Sequence, residues 1–153
     1  MIDRGLETVI GDMTRDWMAA LPALAACAHV DTNRLGYVGL SMGSRFGIPL
    51  AAELGFRLRC AVFGKFGLTQ SPLLAAELGT SDLLRDATAR SHAPVLMHAQ
   101  WDDELFPRQG VLDLFDTFSS VDKMLVARTG SHSMSHHDDE STWRSFIADH
   151  LLR

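Results

Sequence analysis

The sequence predicts an α/β fold, with a parallel sheet of about four strands and helices on both faces. Three observations support this prediction: short apolar runs of strand length, longer segments with apolar residues at three- and four-residue spacing, and the alternation of the two along the 153 residues. Such alternation is typical of strand–helix–strand units, which place neighbouring strands parallel. No linker or internal repeat interrupts the pattern, so a single domain over residues 1–153 is expected.

The first element is a helix, because Leu6, Met13 and Trp17 share one helical face. It is expected to continue through Ala28, with a kink or a restart at Pro22. Four short apolar strands are expected at Leu35–Leu40, 57–63, 94–99 and 123–127. Further helices are expected at 42–54, 72–78, 81–90 and 107–118, with a last one capped by Asp138 or Asp139.

Composition excludes several classes of function. The net charge is −5 and the 14 Lys and Arg residues are scattered, which argues against binding to nucleic acid or to an anionic membrane surface. Asp3, Arg4 and Glu7 stand where an export signal would need apolar residues. Cys27 and Cys60 lie in apolar stretches and are expected to be buried free thiols, which favours a cytoplasmic location.

The most informative motif is Gly39-Leu40-Ser41-Met42-Gly43, which lies between a predicted strand and a predicted helix. A serine on a very tight turn at this junction has its hydroxyl lifted clear of the sheet. Glycine is expected at positions 39 and 43 because side chains there would collide with the flanking strand and helix. Ser41 is therefore a candidate nucleophile.

Two other predicted strand ends carry polar residues that suit nucleophilic catalysis. Asp102 and Asp103 follow the third strand, and Gly130-Ser131-His132 follows the fourth. The carboxyl ends of parallel strands meet at one edge of the sheet, so these side chains are expected near Ser41. An imidazole can take the proton of a serine hydroxyl, and a carboxylate can orient that imidazole.

On these motifs, and in the chain order Ser, Asp, His, the sequence resembles the C-terminal part of an α/β-hydrolase. It is most similar to dienelactone hydrolases and small carboxylesterases. The resemblance implies Ser41 as nucleophile and His132 as general base. It also implies the main-chain N–H of Met42 as an oxyanion donor. Asp103 is favoured over Asp102 as the third member because its spacing to Pro107 matches the family, and Asp102 stays the alternative.

The implied reaction is hydrolysis of a small ester or lactone through an acyl-enzyme, without a cofactor. Apolar residues near the strand ends are expected to line the substrate site, and loop cations are candidates for attracting a substrate carboxylate. The first group is Phe66, Trp101 and Met134, and the second is Lys65 and Arg108. The alternative is a truncated, non-catalytic domain that serves as an assembly or interaction module.

His132 and His136 offer an alternative interpretation as zinc ligands, because their spacing suits metal ligands on a helix. The residue after His132 is Ser133, so the glutamate of the zinc-protease motif is absent and no metal is expected.

The region before the first strand departs from the α/β-hydrolase pattern. It is predicted to be helical, and it holds no counterpart of the loop that supplies the second oxyanion N–H. Loss of one such donor lowers turnover by about 10²- to 10³-fold. The strand at Leu35–Leu40 would also be a bare sheet edge, which a second copy of the chain, a companion chain or the N-terminal helix is expected to cover.

Overall fold

A computed structural model describes residues 5–74 and 79–152. Four parallel strands form one sheet in the order β1-β2-β3-β4, so each strand pairs with the next one along the chain. The strands are β1 (Leu35–Leu40), β2 (Leu58–Gly64), β3 (Val95–Gln100) and β4 (Lys123–Arg128). The helices are α1 (Leu6–Ala25), α2 (Met42–Leu54), α3 (Ser81–Arg90), α4 (Arg108–Thr117) and α5 (Asp139–Leu151). The predicted fold class is confirmed.

Helices cover both faces of the sheet because the central strands are apolar on both sides. Alternate residues of β2 and β3 face opposite ways, as the two-residue period of a strand requires. Phe63 and Met97 belong to a core shared with helices α1 to α4, whereas Val62 and Leu96 pack with Phe146 of α5. This arrangement leaves the carboxyl ends of the strands, where the polar motifs lie, at one edge.

Two helices differ from the prediction in their bounds: α1 at its end, and α4 at both ends, since it spans Arg108–Thr117 instead of 107–118. Helix α1 ends at Ala25 rather than Ala28, because the next residues turn through a hydrogen bond from the Cys27 N–H to the Leu24 carbonyl. Pro107 precedes α4 with extended backbone (φ −54°, ψ 144°), so the helix starts at the following residue.

Two further expectations, the helix at 72–78 and the capping of α5 by Asp138 or Asp139, are not matched by the structure. In the expected helix at 72–78, residues 72–74 lie in a turn and residues 75–78 lie outside the described part of the chain. Asp138 stands at the N-cap position of α5 but forms no side-chain capping bond. The Asp139 carboxylate instead accepts hydrogen bonds from the His136 N–H and Arg128 Nε.

The outer edge of β1 pairs with no strand among the described residues. Val38 on this edge is 52% exposed, and apolar clefts flank the strand. One, of about 320 Å³, is lined by residues of α1 such as Trp17 and Leu21, and another, of about 450 Å³, by residues of α5 such as Trp143. Helix α1 packs on α2, and its residues lie beside β1 across the first of these clefts. None of the helices within residues 5–74 and 79–152 combines the length and the hydropathy that a membrane-spanning segment requires.

The two cysteines differ in burial, which corrects one expectation. Both are free, but Cys27 is exposed because it lies in the turn after α1, whereas Cys60 is buried in β2. Burial raises the pKa of the Cys60 thiol to about 11. Only about a thousandth of such a thiol is ionised at pH 8.

We therefore expect one fast-reacting thiol in the native protein. Ellman's reagent at pH 8 should modify Cys27 within minutes and Cys60 only after denaturation, and Cys27→Ser should abolish the fast phase. Two equally fast thiols in the native protein would contradict the burial of Cys60.

Candidate active site

Ser41 lies between the last residue of β1 and the first residue of α2, in a strained backbone conformation. Its φ of 52° and ψ of −115° are rare for a residue with a side chain. The turn is held by a hydrogen bond of 2.8 Å from the Ser41 N–H to the Gly64 carbonyl of β2. Strain of this kind persists only where the surroundings enforce it, and it is typical of functional sites.

The expected steric reason for the two motif glycines holds at only one of them. A Cβ at Gly39 would lie 2.6 Å from the Tyr37 ring and 2.7 Å from the main chain of Gly43, so the helix can approach the strand only if residue 39 is glycine. A Cβ at Gly43 would meet nothing within 4 Å, so that part of the expectation is wrong. The second tight position is Gly47, where a Cβ would overlap the Tyr37 ring.

Three polar side chains from separate strand ends form a hydrogen-bonded chain. His132 Nε2 lies 3.0 Å from Ser41 Oγ, and His132 Nδ1 lies 2.9 Å from Asp103 Oδ2. The Asp103 side chain is 1% exposed and that of His132 is 17% exposed. With its Nδ1–H donated to the carboxylate, the imidazole presents an Nε2 lone pair that can take the proton of the serine hydroxyl.

The Asp103 carboxylate is held by both of its oxygens. Oδ1 accepts hydrogen bonds from the main-chain N–H groups of Leu105 (2.9 Å) and Phe106 (3.0 Å), while Oδ2 faces His132. The phenyl ring of Phe106 packs against the imidazole, with ring centres 5.7 Å apart. The turn after β3 therefore sets the orientation of the imidazole through one carboxylate and one ring.

The two acidic neighbours of Asp103 bond to the main chain of the loop between β4 and α5 (residues 129–138, the histidine loop) and not to the imidazole. Asp102 Oδ2 accepts the Gly130 N–H at 3.2 Å, and its Oδ1 accepts a bond from Arg108 at 2.9 Å. Glu104 Oε2 accepts the His132 N–H at 2.9 Å, and this bond lowers the pKa of the Glu104 carboxyl. Asp103 is thus the carboxylate of this group that contacts the imidazole in the structure.

The side chain of Lys65 also bonds to the histidine loop. It is buried after β2, with a positive φ of 51°, and its Nζ donates to the Met134 carbonyl (2.6 Å) and to Ser135 Oγ (3.1 Å). Gln100 Nε2 also donates to the Met134 carbonyl. The expectation that Lys65 faces a substrate carboxylate is therefore wrong, because the ammonium group is used inside the protein. Arg108 is likewise engaged, with Asp102 and the Trp101 carbonyl.

We expect Lys65→Met to lower kcat for any reaction that needs His132 by about tenfold, since the loop loses two charge-assisted hydrogen bonds. The substitution keeps the length and the apolar stem of the side chain. The measurement is kcat and KM together with circular dichroism. Lys123→Met on β4 is the control for loss of a lysine, because this half-buried side chain bonds to the Phe115 and Phe118 carbonyls at the end of α4 and not to the loop that carries His132. An unchanged kcat in a folded Lys65→Met protein would remove the supporting role.

The remaining predicted site residues differ in their exposure. Met42 begins α2, so its main-chain N–H is among those at a helix N-terminus that lack an intrahelical partner. Trp101 and Met134 are exposed near the strand ends, whereas Phe66 is buried against Phe106, with ring centres 4.9 Å apart. Contact between these residues and a substrate stays a prediction.

The histidines of the loop do not converge on a metal site. His132 uses both ring nitrogens in the contacts with Ser41 and Asp103, and His136 Nε2 lies 2.8 Å from the Thr129 carbonyl. Within the described part of the chain, no group of three or more His, Cys, Asp or Glu side chains could hold a metal ion.

Sequence reasoning overlooked Arg45. This residue lies one turn along α2 from Ser41, is 1% exposed, and stacks its guanidinium over the Phe66 ring at 5.1 Å. The signal was available, since Arg45 is the only charged residue between Ser41 and Glu53 in an otherwise apolar helix. A lone charged side chain in such a segment is seldom buried unless it is paired with an opposite charge or serves a function.

The parallel sheet and the strained serine turn between β1 and α2 define the class of protein: the fold is that of the α/β-hydrolase superfamily, present in part. A cold-adapted esterase from an Arctic intertidal metagenomic library superposes with a TM-score of 0.80 at 27% identity, over 93% of this chain and 59% of the esterase. Acetyl xylan esterase 1 from Thermoanaerobacterium gives a TM-score of 0.67 at 17% identity, over 88% and 51%. A monoacylglycerol lipase from Paleococcus ferrophilus gives 0.70 at 14%, over 94% and 75%.

The chain thus spans about 59% of the length of the Arctic esterase. No protein-family model and no curated protein sequence matches it.

Proposed function

We propose that this chain carries the nucleophile and the general base of a serine hydrolase acting on small carboxylic esters or lactones. The observation that carries the proposal is the contact of His132 Nε2 with Ser41 Oγ at 3.0 Å, with Asp103 on the other ring nitrogen. The similarity to solved esterases supports the same class of substrate. We further expect a cytoplasmic location, consistent with two unpaired cysteines.

The reaction would proceed in two halves. Ser41 Oγ attacks the ester carbonyl carbon while His132 Nε2 takes the hydroxyl proton, and the imidazolium then protonates the departing alkoxide to leave an acyl-enzyme. In the second half His132 Nε2 takes a proton from water as the water oxygen attacks the acyl carbon. The imidazolium then returns that proton to Ser41 Oγ as the acyl–oxygen bond breaks, which releases the acid and restores free Ser41 and neutral His132. The Met42 N–H would donate a hydrogen bond to the oxyanion of each tetrahedral intermediate.

A fluorophosphonate probe tests the proposal directly, because it reacts only with an activated serine. We expect a single labelled peptide containing Ser41, no labelling of Ser41→Ala, and normal labelling of the loop control Ser133→Ala. An unlabelled wild-type protein would favour the alternative, a non-catalytic assembly module.

We also propose that the free edge of β1 pairs with a further strand, from a second copy of this chain or from a companion chain. The exposed Val38 and the apolar clefts on both faces of the edge support this proposal. Such a strand could bring the second oxyanion donor, since the sequence before β1 holds no counterpart of the loop that supplies it in α/β-hydrolases.

Light scattering coupled to size exclusion tests self-pairing. If the second strand comes from another copy, the mass should be twice that of the monomer, and Val38→Lys should return it to the monomer because a charge on an edge strand opposes pairing. A highly soluble wild-type monomer would count against an open edge that needs a partner.

A further inference from the structure

The guanidinium of Arg45 is a buried cation whose donors are only partly satisfied. Its Nη2 bonds to Gln70 Oε1, but Nε and Nη1 have no hydrogen-bond partner. Burial lowers the pKa of Arg45, and no carboxylate among the described residues offsets this effect. Leaving buried charged donors unpaired costs free energy, and a bound group that supplies acceptors would offset this cost.

A cleft of about 310 Å³ adjoins this group. Phe66 and Gln70, which contact the guanidinium, both line it, and so does Arg45 itself. The other described residues of the lining are uncharged and partly polar: Gly67, Leu68, Thr69, Gly79, Thr80, Ser81 and Leu84. Among the described residues that line the cleft, Arg45 is therefore the only charged one, and the size of the cleft suits a small ligand group.

The cleft is close to the proposed nucleophile. Ser41 immediately precedes α2, and Arg45 lies four residues later, with a hydrogen bond of 3.2 Å from the Arg45 N–H to the Ser41 carbonyl. Residues four apart lie about 6 Å apart along a helix axis. A row of ring contacts also leads from Phe66 through Phe106 to His132. A substrate bound at Ser41 could reach Arg45 with a chain of a few carbon atoms.

We infer that the cleft binds a carboxylate carried by the acyl part of the substrate, so that the favoured substrates are half-esters of short dicarboxylic acids. A carboxylate supplies acceptors for the unpaired N–H groups and neutralises the buried charge, which makes the contact stronger than one to a neutral group. This inference rests on the proposed ester hydrolysis at Ser41. It deepens that proposal by naming a class of ester and a residue that selects it.

The test compares monoethyl glutarate with ethyl pentanoate, which have acyl chains of equal length and differ by a carboxylate in place of a methyl group. Acid release is followed in a pH-stat. We expect kcat/KM to favour the half-ester in the wild-type protein and the ratio of the two values to fall by about 10- to 100-fold in Arg45→Met. The matched control Arg57→Met removes an exposed arginine before β2 and should keep the wild-type ratio. Equal ratios in all three proteins would overturn the inference.

A second measurement separates this inference from the proposed function. Glutarate itself is titrated calorimetrically into the wild-type protein and the two variants. If no ester is hydrolysed and the fluorophosphonate probe fails at Ser41, the proposed function fails, yet glutarate binding that requires Arg45 would still support the cleft as a carboxylate site. Absence of glutarate binding, or binding that Arg45→Met does not weaken, would overturn the inference.

If Arg45→Met does not fold, Arg45→Lys replaces it. This variant should also lower the ratio of kcat/KM for the half-ester to that for ethyl pentanoate, because a shorter point charge loses the stacked position over Phe66.

Discussion

Ser41→Ala should lower kcat for a small ester by about 10⁶-fold, the scale observed when the nucleophile of a serine hydrolase is removed. The reason is that the substitution deletes the attacking oxygen and leaves His132 without a proton to accept. The strained turn should survive, since alanine tolerates the same backbone angles as serine and the Ser41 N–H keeps its bond to the Gly64 carbonyl. The measurement is kcat with ethyl butyrate in a pH-stat, on protein checked for folding by circular dichroism.

His132→Ala and the double variant sharpen this test. Catalytic groups that act as one unit, as we propose for Ser41 and His132, lose most of their effect when either is removed. The double variant should therefore have about the same kcat as Ser41→Ala or His132→Ala alone. Ser133→Ala, which removes an exposed hydroxyl beside His132, is the control and should stay within about twofold of wild type. Substantial ester hydrolysis by His132→Ala would contradict the proposed role of the imidazole.

Asp103→Asn should lower kcat by about 10⁴-fold without unfolding the protein. The amide oxygen can keep the bonds that Oδ1 accepts from the Leu105 and Phe106 N–H groups, so the turn after β3 is preserved. The amide then presents NH₂ to His132 Nδ1 and favours the tautomer that carries its proton on Nε2. That tautomer cannot accept the proton of the Ser41 hydroxyl.

Asp102→Asn is the matched control, one residue away and with the same change of charge. Its side chain is exposed and bonds to Arg108 and the Gly130 N–H, so we expect less than about a tenfold change in kcat. The pH dependence of kcat/KM measured for both variants gives a second readout. A larger loss for Asp102→Asn than for Asp103→Asn would transfer the orienting role to Asp102.

The fold was predictable because strand and helix periods are local properties. β2 and β3 are short, continuous apolar runs, and Phe63 and Val62 in β2 show how adjacent residues serve opposite cores. Boundaries were less predictable, as at Ala25 and Pro107, because helix ends depend on main-chain hydrogen bonds that many sequences can form.

The meeting of the three candidate side chains was predictable for a topological reason. Parallel strands with helical crossovers bring every strand end to the same edge, so the positions of Ser41, Asp103 and His132 after strands were enough to expect them together. Loops lack a period, however, and the sequence left both Asp102 and Asp103 open. The choice between them depends on which carboxylate the turn after β3 directs towards the imidazole.

The amino-acid order alone determined the alternating architecture and which chemical groups stand at its functional edge, because both follow from patterns a few residues long. Only the tertiary structure decided what each charged side chain contacts. The Lys65 ammonium group bonds to the histidine loop, whereas the buried guanidinium of Arg45 lines a cleft with Nε and Nη1 unpaired. Hydrogen-bond partners come from residues distant in the chain, and burial is set by the packing of whole elements. Neither quantity is encoded in any single stretch of sequence.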